Sequence, residues 1–347
     1  MRILFAGSPA IAIPSLKILS KLESEKKGIE LAGILTNPDS RRGRHGETVP
    51  TDLSSAASEM DLIRKESGLA PIVQLKPEKL DAGARAEVAA LVPDLLVSFA
   101  FGRLFGPRFL ELFRSGGINI HPSLLPKYRG ASPIPAVIFN RETETGICIQ
   151  KLAPVMDTGD ILAVDRFALS GRETALSLSE TAAERAALLL SGLLAAFDAK
   201  TAGAQKQTGE PSYCKEIKKE EGLIDWKKSA CEIDAHIRAY TPWPLSFTRL
   251  GNEVLFILEA KVLDASCTDS AVFDASGKTA SVSSPGTVLG MGKEGVLIQT
   301  GKGVLSVSRL QWQTKKALDW KSFCNGRRNF IGSFLGASYD AALSSTN

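Results

Sequence analysis

The chain has 347 residues, 44% hydrophobic and 23% charged, with a net charge of +4 at neutral pH. That length suggests two domains, each long enough to bury a core, and the composition excludes a disordered or fibrous chain. The charge is too small to demand a polyanionic partner, although from residue 206 onward 18 Lys and Arg face 15 Asp and Glu, so the excess leans to the C-terminal part.

Residues 2–7 (RILFAG) have the pattern of a buried strand ending in a Gly-Ser-Pro turn. Arg2 and the apolar run after it imitate the start of a signal peptide, but Gly7-Ser8-Pro9 interrupts the run and 9–22 has helical spacing. A second strand is expected at 31–36, then a polar loop rich in Arg and Gly at 37–50 and a helix at 51–67. Residues 71–74 are short and extended, 77–91 helical, and 94–100 (DLLVSFA) a strand without polar alternation. Residues 117–121 (GINIH) form another such strand, and 132–141 a helix with proline in its first turn. Strands apolar on both faces and separated by helices imply an α/β fold, a doubly wound and mostly parallel sheet with right-handed crossovers. A final hairpin is expected at 146–152 and 161–169, and a long helix at 173–200.

The texture changes at 203–214, which is polar, turn-rich and reads as a linker. Beyond 234–239 come short alternating strands, one of them at 278–284, in the pattern of a small β-barrel or sandwich. The longest apolar stretch, 186–197, is too short to span a bilayer, so no membrane partner is expected. Cys148, Cys214, Cys231, Cys267 and Cys324 are scattered, odd in number and free of any CxxC pair. Such spacing builds neither a disulfide framework nor a zinc ribbon, and reduced cytoplasmic thiols are the simplest reading. His45, His121 and His236 are equally scattered, so no metal site is expected. GMGKEG at 290–295 fits a dinucleotide fingerprint by letters alone. It lies between two expected strands and opens no helix, so it reads as a β-turn. Trp243, between Pro242 and Pro244, reads as a packed aromatic rather than a base-stacking platform.

The stretch NIHPSLLPKYRGASP (119–133) concentrates the chemistry. Asn119 and His121 stand two apart on a strand and so share a face, while Ile118 and Ile120 point the other way. Pro122 keeps His121 extended, and the chain turns through Ser123, Leu124, Leu125 and Pro126. This is the carboxyl end of a parallel strand, where open α/β sheets place their ligands. An amide beside an imidazole can hold a developing oxyanion and move a proton. VMDTGD (155–160) offers Asp157, in a glycine-containing turn, as the group that orients the imidazole. Taken singly, such residues more often cap strands and close turns.

Together with TGICIQKLAPVMDTGDIL (145–162), this stretch resembles the signature of the folate-dependent formyltransferases, which use 10-formyltetrahydrofolate. On that resemblance Asn119, His121 and Asp157 fall on the family's catalytic triad. Ser123, Leu124, Leu125 and Pro126 match its tetrahydrofolate-binding segment. The apolar segment 95–105, with Phe99 and Gly102, would line the pterin pocket with backbone groups.

Four stretches resemble the branch of the family that acts on methionyl-tRNA: MRILFAGSPAIAIPSL at the start, TNPDSRRGR (36–44), HIRAYTPWP (236–244) and LQWQTKKALDWKSFCNG (310–326). The resemblance covers nearly the whole chain. It implies transfer of the formyl group from 10-formyltetrahydrofolate to the α-amino group of methionyl-initiator tRNA, by a cytoplasmic monomer that needs no metal. It also implies a formyltransferase domain over 1–204, a linker over 205–213 and an OB-like, tRNA-binding β-barrel over 214–340. Arg44 aligns with the family's tRNA-contacting arginine. Arg41 and Arg42 replace lysines that the family loop carries after its Gly-Arg-Gly, and this chain continues with His45-Gly46-Glu47 instead. Lys315 and Lys316, and the pair Arg327-Arg328, would track phosphates. The helix at 51–67 is longer than usual for the family, and Pro122 stands where many relatives have Gly or Ala. Rival readings are a formyltransferase acting on a small amine (an amino-sugar nucleotide or glycinamide ribonucleotide), a formyltetrahydrofolate hydrolase, and a tRNA-binding protein with a degenerate site. The intact Asn119, His121 and Asp157 speak against the last.

Overall fold

The computed structural model describes residues 1–42, 46–198, 203–263, 283–327 and 329–336. Its contacts divide the chain into two units. The first comprises Met1–Ile134, Thr143–Leu169 and Ser177–Glu216; the second comprises Pro135–Glu142, Ser170–Leu176 and the chain from Ile217 onward.

In chain order the first unit begins with β1 (Arg2–Gly7), α1 (Ile13–Ser24) and β2 (Glu30–Leu35). Ile3, Leu4 and Phe5 are all fully buried, which requires cover on both faces of β1 and explains the absence of polar alternation. The stretch expected to be a loop carries a small hairpin, β3 (Ser40–Arg42) with β4 (Glu47–Val49), in which Arg42 stands opposite Glu47. Its strands have no apolar face, so hydrophobic periodicity gave no sign of them. Then follow α2 (Asp52–Glu66), β5 (Gln74–Leu75), α3 (Ala82–Ala90), β6 (Leu95–Phe99), α4 (Pro107–Leu110) and β7 (Gly117–His121). Thr51 starts α2 by accepting a 3.2 Å hydrogen bond from Ser54 N–H. A two-residue strand β8 (Arg129–Gly130), α5 (Pro133–Phe139), β9 (Glu144–Lys151), β10 (Ile161–Ala168), α6 (Ala175–Asp198) and β11 (Tyr213–Cys214) complete this part of the chain.

The main sheet runs β10-β9-β7-β6-β1-β2-β5. The five strands from β7 to β5 are parallel, and β9 is antiparallel to both of its neighbours. The chain builds outward from β1 through β2 to β5, then returns to the other flank of β1 with β6 and β7. The order therefore reverses between β1 and β6, and the carboxyl ends of β6 and β7 open onto the crevice that such a reversal leaves. Below it, Leu4, Ala6, Leu35, Leu96 and Val88 pack with Phe101, Phe109 and Phe113. Rings of Phe101, Phe105, Phe109 and Phe113 follow one another at centroid distances of 5.2, 5.3 and 5.9 Å. Each such pair adds roughly 0.5–1.5 kcal/mol beyond its burial, which anchors the segment leaving β6.

The second unit is an antiparallel β domain. Its strands are β12 (Ser246–Leu250), β13 (Glu253–Val262), β14 (Val288–Met291), β15 (Val296–Gln299), β16 (Val304–Trp312) and β17 (Leu318–Asp319), with the helices α7 (Ala230–Ala239) and α8 (Trp320–Asn325). Among the described residues the sheet runs β12-β13-β16-β15-β14, with β17 paired to β16. The strand expected at 278–284 starts outside the described residues. Residues 290–295 span the end of β14 and the turn into β15, as a β-turn reading requires. Ser229 and Glu232 form a reciprocal capping box at the start of α7. Ile233, Ile237, Leu255, Ile257, Leu305, Val307 and Phe330 form the core, and the Trp226 indole donates a 2.9 Å hydrogen bond to Thr248 Oγ1 within it. Trp243 departs from expectation: it is 57% exposed, in the turn that follows α7. Cys148, Cys214 and Cys324 carry free thiols, whereas Cys231 is disulfide-bonded, against the expectation that every thiol is reduced.

Candidate active site

Three groups from one strand and one turn meet at the carboxyl end of β7. Strand geometry supplies Asn119 and His121, and register fixes their neighbours: Asn119 lies opposite Gln150 and His121 opposite Cys148 on β9. Asp157 comes from the turn that joins β9 to β10 and adopts a left-handed backbone, φ 56°. That conformation is uncommon for a residue with a side chain and needs support from its surroundings. Part of the support is Gly159, where a Cβ would lie 1.7 Å from the Lys151 carbonyl oxygen, so only glycine lets the turn close so tightly.

The Asp157 carboxylate is held from several sides. Oδ1 accepts from Gln150 Nε2 at 2.9 Å and from Asn119 Nδ2 at 3.5 Å. Oδ2 accepts from the Gly130 N–H at 2.8 Å and lies 3.6 Å from His121 Nδ1. The other ring nitrogen, Nε2, is 2.8 Å from the Tyr128 carbonyl. A carbonyl only accepts, so Nε2 carries the ring hydrogen and Nδ1 presents its lone pair beside the carboxylate. The side chains of His121 and Asp157 are 5% and 7% exposed. Burial pushes the His121 pKa below its ordinary 6.5, and the Asp157 charge and the Tyr128 carbonyl oppose that shift without cancelling it. The result is a neutral imidazole whose proton-accepting atom faces an anion. It gains a stabilising partner at the moment it takes up a proton.

Asn119 is only half-buried, and its amide contact to Asp157 sits at the outer limit of a hydrogen bond. That amide can turn to a carbonyl oxygen on which charge develops.

The loop after β7 is locked to the same centre. Ser123, fully buried, donates from Oγ to the Lys127 carbonyl at 2.7 Å, and its N–H bonds the His121 carbonyl at 2.9 Å. The segment expected to be a linker runs alongside this loop. Ser212 accepts from Tyr128 N–H through Oγ at 2.8 Å, and β11 pairs in parallel with β8. Gly130 has φ 109° and sits so close to β11 that a Cβ there would be 2.3 Å from the Cys214 carbonyl oxygen. Gln207 reaches the Asp157 turn from the same segment. None of Gln150, Gln207, Tyr128 or Gly130 stood out in the sequence. The one local sign was Gln150, a polar residue at an otherwise apolar strand's buried end, 2% exposed.

The profile of the formyl transferase family matches residues 1–193, and that of the formyl transferase C-terminal domain matches residues 216–328. A methionyl-tRNA formyltransferase of Treponema denticola is 43% identical over 335 residues, covering 95% of this chain and 98% of that protein. One of Treponema pallidum is 39% identical over 339 residues, covering 97% and 99%. The chain belongs to the methionyl-tRNA formyltransferase family. The fold extends to more distant formyltransferases. The crystal structure of the N-formyltransferase from Helicobacter canadensis, in complex with folinic acid and dTDP-3-aminofucose, is 18% identical, with a TM-score of 0.58 over 88% of this chain and 98% of that one.

Within this formyltransferase fold the expected folate residues cluster around the triad. Ser123, Leu124, Leu125 and Pro126 form the turn that follows His121, with Leu124 and Leu125 half-buried. Phe99 is the last residue of β6, pairs with Ile120 in register and is fully buried. Gly102 is exposed with φ 78° just beyond it. Of the expected tRNA contacts, Arg41 is exposed on the β3–β4 hairpin and Arg42 stands opposite Glu47, while Arg44 lies outside the described residues. Lys315 and Lys316 are exposed in the connection between β16 and β17, in the second unit. Arg327 is pinned by Glu253 at 2.6 Å and by the Trp312 ring at 4.4 Å, and Arg328 lies outside the described residues.

Proposed function

We propose that the chain transfers the formyl group of 10-formyltetrahydrofolate to the α-amino group of methionine on initiator tRNA, with Asn119, His121 and Asp157 as the reacting machinery. One observation carries the chemistry. A neutral imidazole, its Nε2–H already given to a backbone carbonyl, holds the Nδ1 lone pair beside a buried carboxylate and next to an amide donor. The amine attacks the formyl carbon and the carbonyl electrons move to oxygen. Asn119 Nδ2 donates to that oxygen. His121 Nδ1 takes a proton from the attacking nitrogen, and Asp157 stabilises the imidazolium that results. As the tetrahedral centre collapses, the bond to N10 of the folate breaks and the imidazolium returns its proton to that nitrogen. Tetrahydrofolate and formylmethionyl-tRNA leave.

The turn Ser123–Pro126 and the backbone of Phe99 and Gly102 are the proposed folate contacts. Arg41 and Arg42 of β3, Arg44, Lys315 and Lys316 are the proposed phosphate contacts on the tRNA. The enzyme so described acts as a monomer in the cytoplasm, where initiator tRNA is charged and used.

The test supplies 10-formyltetrahydrofolate with methionyl-initiator tRNA and, separately, methionyl-elongator tRNA, and scores formylmethionine. Formylation of the initiator alone supports the whole reading. Folate turned over with neither tRNA formylated moves the acceptor to a small amine or to water.

A further inference from the structure

We infer that Gln207 is a positioning residue for the Asp157 carboxylate, and that Arg129 holds it in that role. The inference rests on the formyl transfer proposed above.

Asp157 must keep a left-handed backbone while its carboxylate stands 3.6 Å from His121 Nδ1. Gln207 grips the turn that does this. Its Nε2 donates to the Asp157 carbonyl at 2.9 Å and to the Gly159 carbonyl at 2.8 Å, so both amide hydrogens bridge the two ends of the turn. The same nitrogen lies 3.3 Å from Oε1 of Gln150, whose Nε2 holds Asp157 Oδ1 at 2.9 Å. One side chain thus touches the main chain of the catalytic turn and the partner of the catalytic carboxylate.

The orientation of that amide is itself enforced. Arg129 donates to Gln207 Oε1 from Nη2 at 2.6 Å and from Nε at 3.2 Å, which directs oxygen to the guanidinium and nitrogen to the turn. Arg129 Nη1 reaches the Tyr213 hydroxyl at 3.2 Å, on the strand that pairs with Arg129 itself. The next residue, Gly130, gives its N–H to Asp157 Oδ2. Backbone and side chain of the pair Arg129-Gly130 therefore fix Asp157 from both sides, the second time through Gln207. A glutamate at 207 would keep the Arg129 contact but set a carboxylate oxygen against two carbonyls. A methionine would fill the same space and donate nothing.

The experiment compares wild type, Gln207→Met and Gln207→Glu for kcat, for the KM values of the formyl donor and the methionyl-initiator tRNA, and for the pH dependence of kcat, with circular dichroism confirming the fold. Outer partners of a reactive group typically control about 10–100-fold in rate. Both variants should lose about that in kcat while each KM stays within about threefold. The acidic limb of kcat should move to lower pH, because the Asp157 charge that opposes burial at His121 is no longer held in place. A purely structural anchor would lower the melting temperature and leave that limb where it was. Arg129→Lys, which keeps the charge and loses the fork, reads the same contact from the other side should neither Gln207 variant fold. Wild-type kcat and an unmoved limb in a folded variant overturn the inference, and so does a loss confined to KM. If the wild-type enzyme itself fails to formylate the initiator, the proposed function falls instead.

Discussion

Replacing Asp157 by Asn isolates the charge at the site's centre while keeping its shape. The carboxylate is buried, with a side chain 7% exposed, and Oδ2 lies 3.6 Å from His121 Nδ1. At an effective dielectric of about 20, a unit charge at that distance stabilises an imidazolium by roughly 4–5 kcal/mol. The amide dipole of Asn retains part of that. It also cannot satisfy both present donors: with its oxygen toward Gly130 N–H its nitrogen meets Gln150 Nε2, and the reverse orientation sets nitrogen against Gly130 N–H and a donor onto the Nδ1 lone pair. A net loss of about 3–4 kcal/mol in the transition state corresponds to a kcat lower by roughly 10²–10³. Single-turnover formylation of methionyl-initiator tRNA with saturating folate, on protein whose circular dichroism matches wild type, measures it. A decrease of less than tenfold would refute the assignment of Asp157 as the partner of a protonating His121.

Asn119→Ala should lower turnover by roughly 10²–10³, the usual effect of losing one oxyanion donor, with folate binding unchanged by equilibrium titration; near-wild-type turnover removes that role. The acidic limb of kcat should fall below pH 6.5. Burial lowers the His121 pKa, so the neutral base survives beneath the ordinary histidine value and is lost only as pH drops through the depressed one. A limb at or above 6.5 contradicts the buried neutral imidazole. Gly130→Ala forces a Cβ to 2.3 Å from the Cys214 carbonyl at φ 109°, and should destabilise the fold by about 2–4 kcal/mol, read as a lower thermal midpoint; an unchanged midpoint would mean that β8 and β11 separate easily. Arg41→Ala and Lys315→Ala should each reduce the salt slope of tRNA binding by about one while leaving folate titrations as they are, and an unchanged slope excludes the residue from phosphate contact.

The large elements were legible because their physics is local. Strands β1 and β6 announce themselves as apolar runs without alternation, since each is covered on both faces. The helix expected at 51–67 is present as α2, started by the Thr51 cap, whereas α7, started by the Ser229–Glu232 box, is not among the elements expected from the sequence. The β3–β4 hairpin has no sequence signal because two three-residue strands, Ser-Arg-Arg and Glu-Thr-Val, have neither a hydrophobic face nor a period to detect. An aromatic between prolines has the sequence pattern of packing material, yet Trp243 is exposed, which no local pattern distinguishes.

At the site the division is sharper. The Asn-x-His spacing places both residues on one face of β7 by the period of a strand alone, and the likeness of 119–133 and 145–162 to a known signature brings in Asp157. What the chain could not reveal locally is how those groups are charged and held. That depends on β9 lying antiparallel to β7, which sets Gln150 opposite Asn119. It depends also on a two-residue pairing between β8 and β11, which draws a polar segment more than 80 residues away in sequence onto the loop that follows His121. The Tyr128 carbonyl that fixes the imidazole tautomer, the Gly130 N–H on the carboxylate and the Gln207 amide beneath the turn are backbone or generic polar groups. Their chemistry is the same wherever they occur in a sequence, and only the folded distances single them out.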